Sequence, residues 1–219
     1  MKACVLLSGC GVFDGSEIHE SVLSLLALDE QDIAYDIFSL ETDQTEVVAH
    51  ASQETKEDET RNCLIESARI ARGPVKPLAE LQIDAYSLLL IPGGFGVAKN
   101  FCDFAYKGPG LTVQPEIRSV LKAFHTAQKP IVCLCIAPIL LAKCFPGCTV
   151  TMGESADMTE VVASLGSTNS LCNSQNIVYD ESFKFITTPA YMNDVSIKDI
   201  KVGIHKAIEK AAQLSRVPA

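Results

Sequence analysis

The stretch Ile131-Val132-Cys133-Leu134-Cys135-Ile136-Ala137 passes from an apolar strand into a helix with no loop between them. Ile131 to Leu134 show no polar alternation, as in a parallel strand covered on both faces. The helix is predicted to run from about Ile136 to Lys143. A nucleophile on so sharp a turn needs small residues two before and two after it, because those positions crowd together. Cys133 and Ala137 supply them around Cys135. Cys135 would then lie at a helix N-terminus, whose partial positive charge lowers a thiol pKa. The N–H of Ile136 would be free to donate to an oxyanion. The competing reading is a buried thiol, the commonest state of a cysteine.

Outward from this turn, short aliphatic runs alternate with helical periodicity. Ala3 to Leu7, Ile33 to Phe38 and Leu88 to Ile91 read as further strands. Ile18, Val22, Leu25 and Leu26 fall at helical spacing, with Ser16 as the expected N-cap. Asn62 to Arg72 reads as a helix with Leu64, Ile65, Ala68 and Ala71 on one face, stopped by Gly73-Pro74. Pro115 opens a helix to about Gln128. A strand near Thr149–Met152 and a helix over Thr159–Leu165 follow. Ile177–Tyr179 and Phe183–Thr187 suggest a hairpin, and Ile197 to Leu214 a closing helix. The alternation predicts an α/β fold with a mostly parallel sheet and helices on both faces. All 219 residues are expected to form a single domain.

Composition narrows the function. The hydrophobic fraction is 47% and the charged fraction 21%, as in a globular chain. Lys and Arg number 18 against 27 Asp and Glu, a net charge of -9, which argues against nucleic acid or an anionic membrane as partner. Residues 41–60 hold seven acids against Lys56, a net of -6, and read as a solvated loop or short hairpin. Nine cysteines sit largely inside apolar runs, which fits reduced thiols and a cytoplasmic setting. Leu7-Ser8-Gly9-Cys10 resembles a lipoprotein cleavage box, but the apolar stretch before it is shorter than a signal segment requires.

In parallel sheets ligands collect at the carboxyl ends of the strands. Pro92-Gly93-Gly94-Phe95-Gly96 ends the strand beside the cysteine turn, so Gly94 is a second candidate oxyanion donor. Glu17 falls in the first turn of the first helix and could exchange a proton with Cys135; burial there would raise its pKa. Gly9-Cys10-Gly11 is a near miss for a dinucleotide fingerprint, because Asp14 stands where a small residue is needed. No histidine pairs obviously with Cys135: His125 belongs at the opposite edge of the sheet, and His19 points away from Glu17. Cys133/Cys135 and Cys144/Cys148 lack zinc spacing, so no metal is expected. Arg61 and Arg69 could reach an anionic group, with a surface salt bridge to Glu57 or Glu66 as the plainer alternative.

LSGCGVFDGSEIHE, ETRNCLIESARIARG, IPGGFGVAKN, CIAP and TTPAYM occur in that order and span nearly the whole chain. Together they resemble the class I glutamine amidotransferase-like superfamily on its PfpI/DJ side, and within it the ElbB glyoxalase family of sigma cross-reacting, isoprenoid-biosynthesis-associated proteins. The resemblance implies a flavodoxin-like three-layer sandwich, a homodimer and no cofactor. It implies Cys135 as the elbow cysteine with Glu17 as its carboxylate. Gly93, Gly94 and Ile136 would frame the oxyanion, and Asn100 and the ETRNCLIESARIARG helix would border the pocket. PfpI-like proteases carry a His directly after the cysteine, where this chain has Ile136, and amidotransferases carry a late His–Glu pair, where it has Thr187-Thr188-Pro189-Ala190-Tyr191. Neither peptide hydrolysis nor ammonia release is therefore expected. The implied activity is a glutathione-independent glyoxalase that converts the small dicarbonyl glyoxal to glycolate, with a deglycase variant of the same chemistry. A non-enzymatic redox-sensing or partner-binding module that keeps the elbow is the alternative.

Overall fold

The computed structural model describes residues 1–216. Its first half holds β1 (Lys2–Leu6), α1 (Ile18–Glu30), β2 (Ala34–Ser39), β3 (Val48–Ala49), β4 (Glu54–Thr55), α2 (Cys63–Ala71), β5 (Lys76–Pro77) and β6 (Leu88–Ile91). The second half holds α3 (Phe104–Lys107), α4 (Pro115–Thr126), β7 (Ile131–Leu134), α5 (Pro138–Cys144), β8 (Thr149–Val150), α6 (Ala156–Ser164), β9 (Thr168–Asn169), β10 (Val178–Asp180), β11 (Phe185–Thr188) and α7 (Ile197–Arg216).

Seven strands form one sheet in the order β10-β11-β7-β6-β1-β2-β5. Every pairing is parallel except β10 with β11, the expected hairpin. The central strands carry apolar residues on both faces because both faces are covered. Along β1 and into the next residue, Cys4 and Leu6 enter one core while Ala3, Val5 and Leu7 enter the other. α4 and α5 close the first core through Ile117, Leu121, Phe124 and Leu140. α1 and α7 close the second through Leu28, Ile204 and Ile208. Each fully buried aliphatic contributes about 1.5–3 kcal/mol of transfer free energy, which makes this the main support of the three layers.

Two helices are rotated from the faces their apolar residues predict. On α1, Ile18, Val22 and Leu26 are exposed, while Glu20, Ser21, Ser24, Ala27 and Leu28 are buried. On α2, Ile65 is 63% exposed and the buried face is Cys63, Glu66, Ser67 and Ile70. In both cases an inward polar group bonds a turn at a strand end: Ser67 Oγ accepts from the Gly9 N–H at 3.0 Å, and Glu20 Oε2 accepts from the Gly93 N–H at 2.9 Å. The helix after β7 starts at Pro138 rather than Ile136, so a three-residue turn, 135–137, separates strand from helix. α6 starts at Ala156, earlier than its apolar periodicity suggests, because Ser155 caps it through the Met158 N–H.

The acidic segment forms the small β3–β4 hairpin, and it is docked rather than free. Asp14 Oδ2 accepts from the Val48 N–H at 2.8 Å, and Lys99 pairs with Glu46. Asn100 ties the same loops together from behind. Its amide donates to the carbonyls of Ser8 and Asp14 at 3.0 Å each, and its oxygen accepts from the Thr45 N–H at 3.0 Å.

The loop after β6 lies so close to the loop after β1 that side chains are excluded. A Cβ on Gly94, at φ +98°, would stand 2.4 Å from both the Glu17 nitrogen and the Gly15 oxygen. Gly94→Ala is expected to destabilise the protein by roughly 2–5 kcal/mol, combining backbone strain with overpacking, as read by chemical denaturation.

Candidate active site

Cys135 sits at the carboxyl end of β7 with φ +58°, a left-handed conformation that a non-glycine residue adopts only when its surroundings enforce it. Its N–H donates to the Thr188 carbonyl at 3.0 Å, which extends the β7–β11 ladder by one residue, and the Ala137 N–H closes the turn on the Leu134 carbonyl at 2.9 Å. The strained turn lifts the thiol out of the strand and points it across the ends of β6 and β1. There the N–H groups of Gly94 and Ile136 are directed at the sulfur. These are the two donors expected from the sequence.

The carboxylate against the thiol is Glu20, not Glu17. Glu20 is fully buried and hydrogen-bonds the Cys135 side chain. Its Oε2 accepts from the Gly93 N–H at 2.9 Å, and its Oε1 accepts from the Tyr191 N–H at 3.3 Å. Gly93 is the spacer that lets the pair meet: a Cβ there would lie 2.4 Å from Cys135 Cβ and 2.6 Å from Glu20 Oε2.

The displacement of Glu17 comes from the start of α1. Ser16 does not cap the helix; its hydroxyl accepts from the Ser8 N–H at 2.8 Å. Glu17 is the cap, and its Oε2 accepts from the Glu20 N–H at 2.6 Å. In an ordinary capping box the glutamate three residues on would turn back to the cap N–H. Here that N–H goes to the Gly93 carbonyl at 3.0 Å, which frees Glu20 to reach the thiol. Glu17 still forms part of the pocket wall beside Cys135.

Burial dominates the electrostatics. Loss of water, together with the Glu17 charge, pushes the Glu20 carboxyl up to about 8, against the backbone N–H groups that favour its ionised form. Burial and the adjacent Glu20 hold the Cys135 thiol well above its ordinary value, and the two N–H donors oppose this without reversing it. The expectation of a thiol lowered by a helix N-terminus therefore fails, because desolvation outweighs a dipole whose helix begins only at Pro138. At neutral pH both the Cys135 thiol and the Glu20 carboxyl therefore keep their protons.

The pair opens into a cavity of about 510 Å³. Its walls include Val12, Phe95, Ala98, Phe104, Met158 and Met192, with Tyr191 at the side. His19 approaches only indirectly, through a 2.9 Å hydrogen bond from its ring to the Tyr191 hydroxyl. Asn100 does not line the cavity, since both ends of its amide are used to fasten loops. Nor do Arg61 and Arg69, which pair with Glu66, Arg61 also with Glu59. His125 packs among Phe145, Phe183 and Phe185. Among the described residues no group of three or more His, Cys, Asp or Glu is placed to hold a metal ion. Among them, too, no helix is long and apolar enough to cross a membrane.

No family model matches the chain. It is 39% identical to the ES1 protein homolog, mitochondrial, of Rattus norvegicus, over 98% of this chain and 84% of the relative. It is 38% identical to the human glutamine amidotransferase-like class 1 domain-containing protein 3, mitochondrial, over 98% and 83% of the two chains. The chain belongs to this ES1, glutamine amidotransferase-like class 1 family. Among solved structures, an isoprenoid biosynthesis protein with amidotransferase-like domain from Ehrlichia chaffeensis superposes on this ES1-family chain with TM-score 0.91, at 34% identity over 98% of this chain and 99% of that one. Drosophila melanogaster DJ-1beta superposes with TM-score 0.56 at 16% identity, over 98% and 95% of the chains, so the two share the α/β sandwich fold. The expectation of a cytoplasmic protein is overturned: both curated relatives are named as mitochondrial.

The raised Glu20 carboxyl links the site to stability. Its folded value, about 8, lies above the ordinary 4.5, so the folded state keeps a proton that the unfolded chain releases. Stability is then fully present below about 4.5 and is lost as pH rises toward 8, by about 3–4 kcal/mol at neutral to mildly basic pH. Glu20→Gln, which cannot ionise, should melt at a higher temperature than wild type at pH 8 and show little difference at pH 5.

Proposed function

We propose that this ES1-family protein is a cysteine-dependent, glutathione-independent glyoxalase that converts glyoxal to glycolate, with deglycation of aldehyde adducts as a variant of the same chemistry. The observation that carries the reading is the buried Cys135–Glu20 pair, with the Gly94 and Ile136 N–H groups aimed at the reacting atom. Ionised Glu20 takes the thiol proton as the sulfur adds to one aldehyde carbon, giving a hemithioacetal whose oxygen is held by the two N–H donors. Glu20 returns that proton to the hemithioacetal oxygen and, ionised again, takes the proton from that carbon and delivers it to the neighbouring carbon, while the hydroxyl proton passes to the neighbour's oxygen. The first carbon is oxidised to a thioester and the second reduced to an alcohol, so no external oxidant is needed. Water cleaves the thioester, giving glycolate and the free thiol.

Against the redox-sensor alternative stands the state of the thiol. A sensor cysteine needs an exposed thiolate of low pKa. Cys135 is 9% exposed and its pKa is raised. A buried pair that keeps both protons at rest suits a reaction in which substrate supplies the groups that water would have solvated.

Glycolate formation from glyoxal should be abolished in Cys135→Ser and fall at least 100-fold in Glu20→Gln. Glu17→Gln, which retains an oxygen to cap α1, should fall less than about tenfold, in line with the effect expected of a group outside the proton path. Because Glu20 must be ionised to accept the thiol proton, kcat/KM should rise with pH and reach half its plateau near about 8. Absence of turnover in wild type under reducing conditions would remove the enzymatic reading.

A further inference from the structure

Hydrolysis of a thioester on Cys135 yields a proton that the buried pair does not absorb. Glycolate is an anion at neutral pH, so each turnover of glyoxal and water releases one proton. Glu20 is fully buried. Among the described residues, its partners are the backbone N–H groups of Gly93 and Tyr191, which carry no proton onward, and the Cys135 side chain. Glu20 can therefore exchange a proton with sulfur, but no side chain leads that proton outward. Among the described residues, the ionisable groups that line the cavity are Glu17, Cys135 and Tyr191. Glu17 Oε2 is engaged as the cap of α1, on the Glu20 N–H at 2.6 Å. Tyr191 is placed differently. Its hydroxyl lies 2.9 Å from His19 Nδ1, and the two ring centroids are 5.9 Å apart, tilted by 55°. His19 precedes Glu20 on α1 and is exposed. One side chain of this contact thus lines the cavity of the cysteine, and the other faces water. Burial, together with the Glu17 and Glu20 charges, raises the Tyr191 pKa, so the hydroxyl keeps its proton at rest.

We propose that Tyr191 and His19 form a proton relay that activates the hydrolytic water, with Tyr191 as a catalytic residue and His19 as the positioning residue behind it. The relay rests on the glyoxalase reading and supplies the groups for its last step. With the imidazole proton on Nε2, His19 Nδ1 accepts from the Tyr191 hydroxyl. As the water oxygen bonds to the thioester carbon, one water proton passes to the Tyr191 oxygen and the hydroxyl proton passes to His19 Nδ1. The carbonyl oxygen takes up the negative charge against the Gly94 and Ile136 N–H groups. His19 then gives its Nε2 proton to solvent, and exchange with solvent restores the first tautomer. The tetrahedral intermediate collapses by breaking its bond to sulfur. Its remaining hydroxyl proton reaches the sulfur through Glu20, which ends ionised as it began the step. The products are glycolate, the Cys135 thiol and one proton in solvent, and no oxidant or reductant takes part.

Single-turnover reactions with glyoxal test the relay. Tyr191→Phe keeps the ring and the backbone N–H that binds Glu20, and removes only the hydroxyl. It should form the thioester at close to the wild-type rate and hydrolyse it at least about 100-fold more slowly, within the range of general acid–base catalysis. The thioester should then accumulate on Cys135 after acid quench, read by peptide mass spectrometry and by its release with hydroxylamine. Glu20→Gln, blocked before the isomerisation, should accumulate none. His19→Ala should slow hydrolysis about tenfold, and free imidazole, which can reach this exposed position, should restore it. Imidazole should do nothing for Tyr191→Phe. A contact that only holds the fold would give neither thioester accumulation nor rescue by imidazole. Hydrolysis at the wild-type rate in Tyr191→Phe would overturn the relay and leave the glyoxalase reading intact. So would a Tyr191→Phe protein that loses thioester formation and hydrolysis together. A slow Tyr191→Phe beside an unaffected His19→Ala would overturn the transfer to His19. Wild type that forms neither thioester nor glycolate would remove the glyoxalase reading, and the relay with it.

Discussion

A carboxyl group held against a thiol, both out of water, is the constraint around which this molecule is arranged. Glu20 and Cys135 come from α1 and the end of β7, and they meet only because Gly93 has no side chain to separate them. The N–H groups that flank them are fixed by backbone rather than by mobile side chains. Gly93 donates to Glu20, Tyr191 donates to Glu20, and Gly94 and Ile136 face the sulfur. Moving any one loop therefore leaves a buried acceptor without a donor, a loss of about 1–3 kcal/mol per group. The outer fastenings share this purpose. Asn100 binds the β1 loop to the acidic hairpin, and Ser16 binds it to the end of β1.

The same constraint explains why two helices turn apolar residues outward. For Glu20 to reach the elbow, the face of α1 that carries Glu20, Ser21 and Ser24 must pack inward. Ile18, Val22 and Leu26, at spacings of four, are then carried to the surface together. Periodicity identifies a helix here, but most of the apolar stripe that marks it faces solvent. Apolar periodicity assumes that burial energy alone sets a helix's rotation. At this helix, the hydrogen bonds of Glu20 to the turn after β6 and to the buried thiol set it instead.

What the sequence revealed of the site follows the same division. The elbow was legible because crowding demands small residues at Cys133 and Ala137, a local rule. Gly94 and Ile136 were legible because backbone donors follow from turn geometry. Glu20 was missed because its role depends on where α1 begins. Placing the cap at Ser16 made Glu17 a first-turn residue and the natural neighbour of Cys135. With the cap at Glu17, that side chain is used by the helix itself, and the glutamate three residues on inherits the site. The Glu17–Glu20 spacing was a visible signal, since it is that of a capping box. Asn100 was read as a pocket residue from its family motif, whereas its buried amide serves loop positioning, which only the tertiary contacts disclose.

The absence of a histidine beside Cys135 has a consistent physical meaning once the pair is considered as a unit. In a cysteine–histidine site, an imidazolium stabilises a thiolate before substrate arrives. Here, among the described residues, no cation does so, and at rest both the thiol and the carboxyl keep their protons. A thiolate would form only as the sulfur bonds to carbon, when negative charge passes to an oxygen that the Gly94 and Ile136 N–H groups can hold. Charge would thus be stabilised where it develops rather than stored in the resting site. The apolar cavity reinforces this, because a low-dielectric wall penalises a standing thiolate and strengthens the two N–H donors once an oxyanion appears. A thiol held this way would react slowly with solvent oxidants and stay reduced.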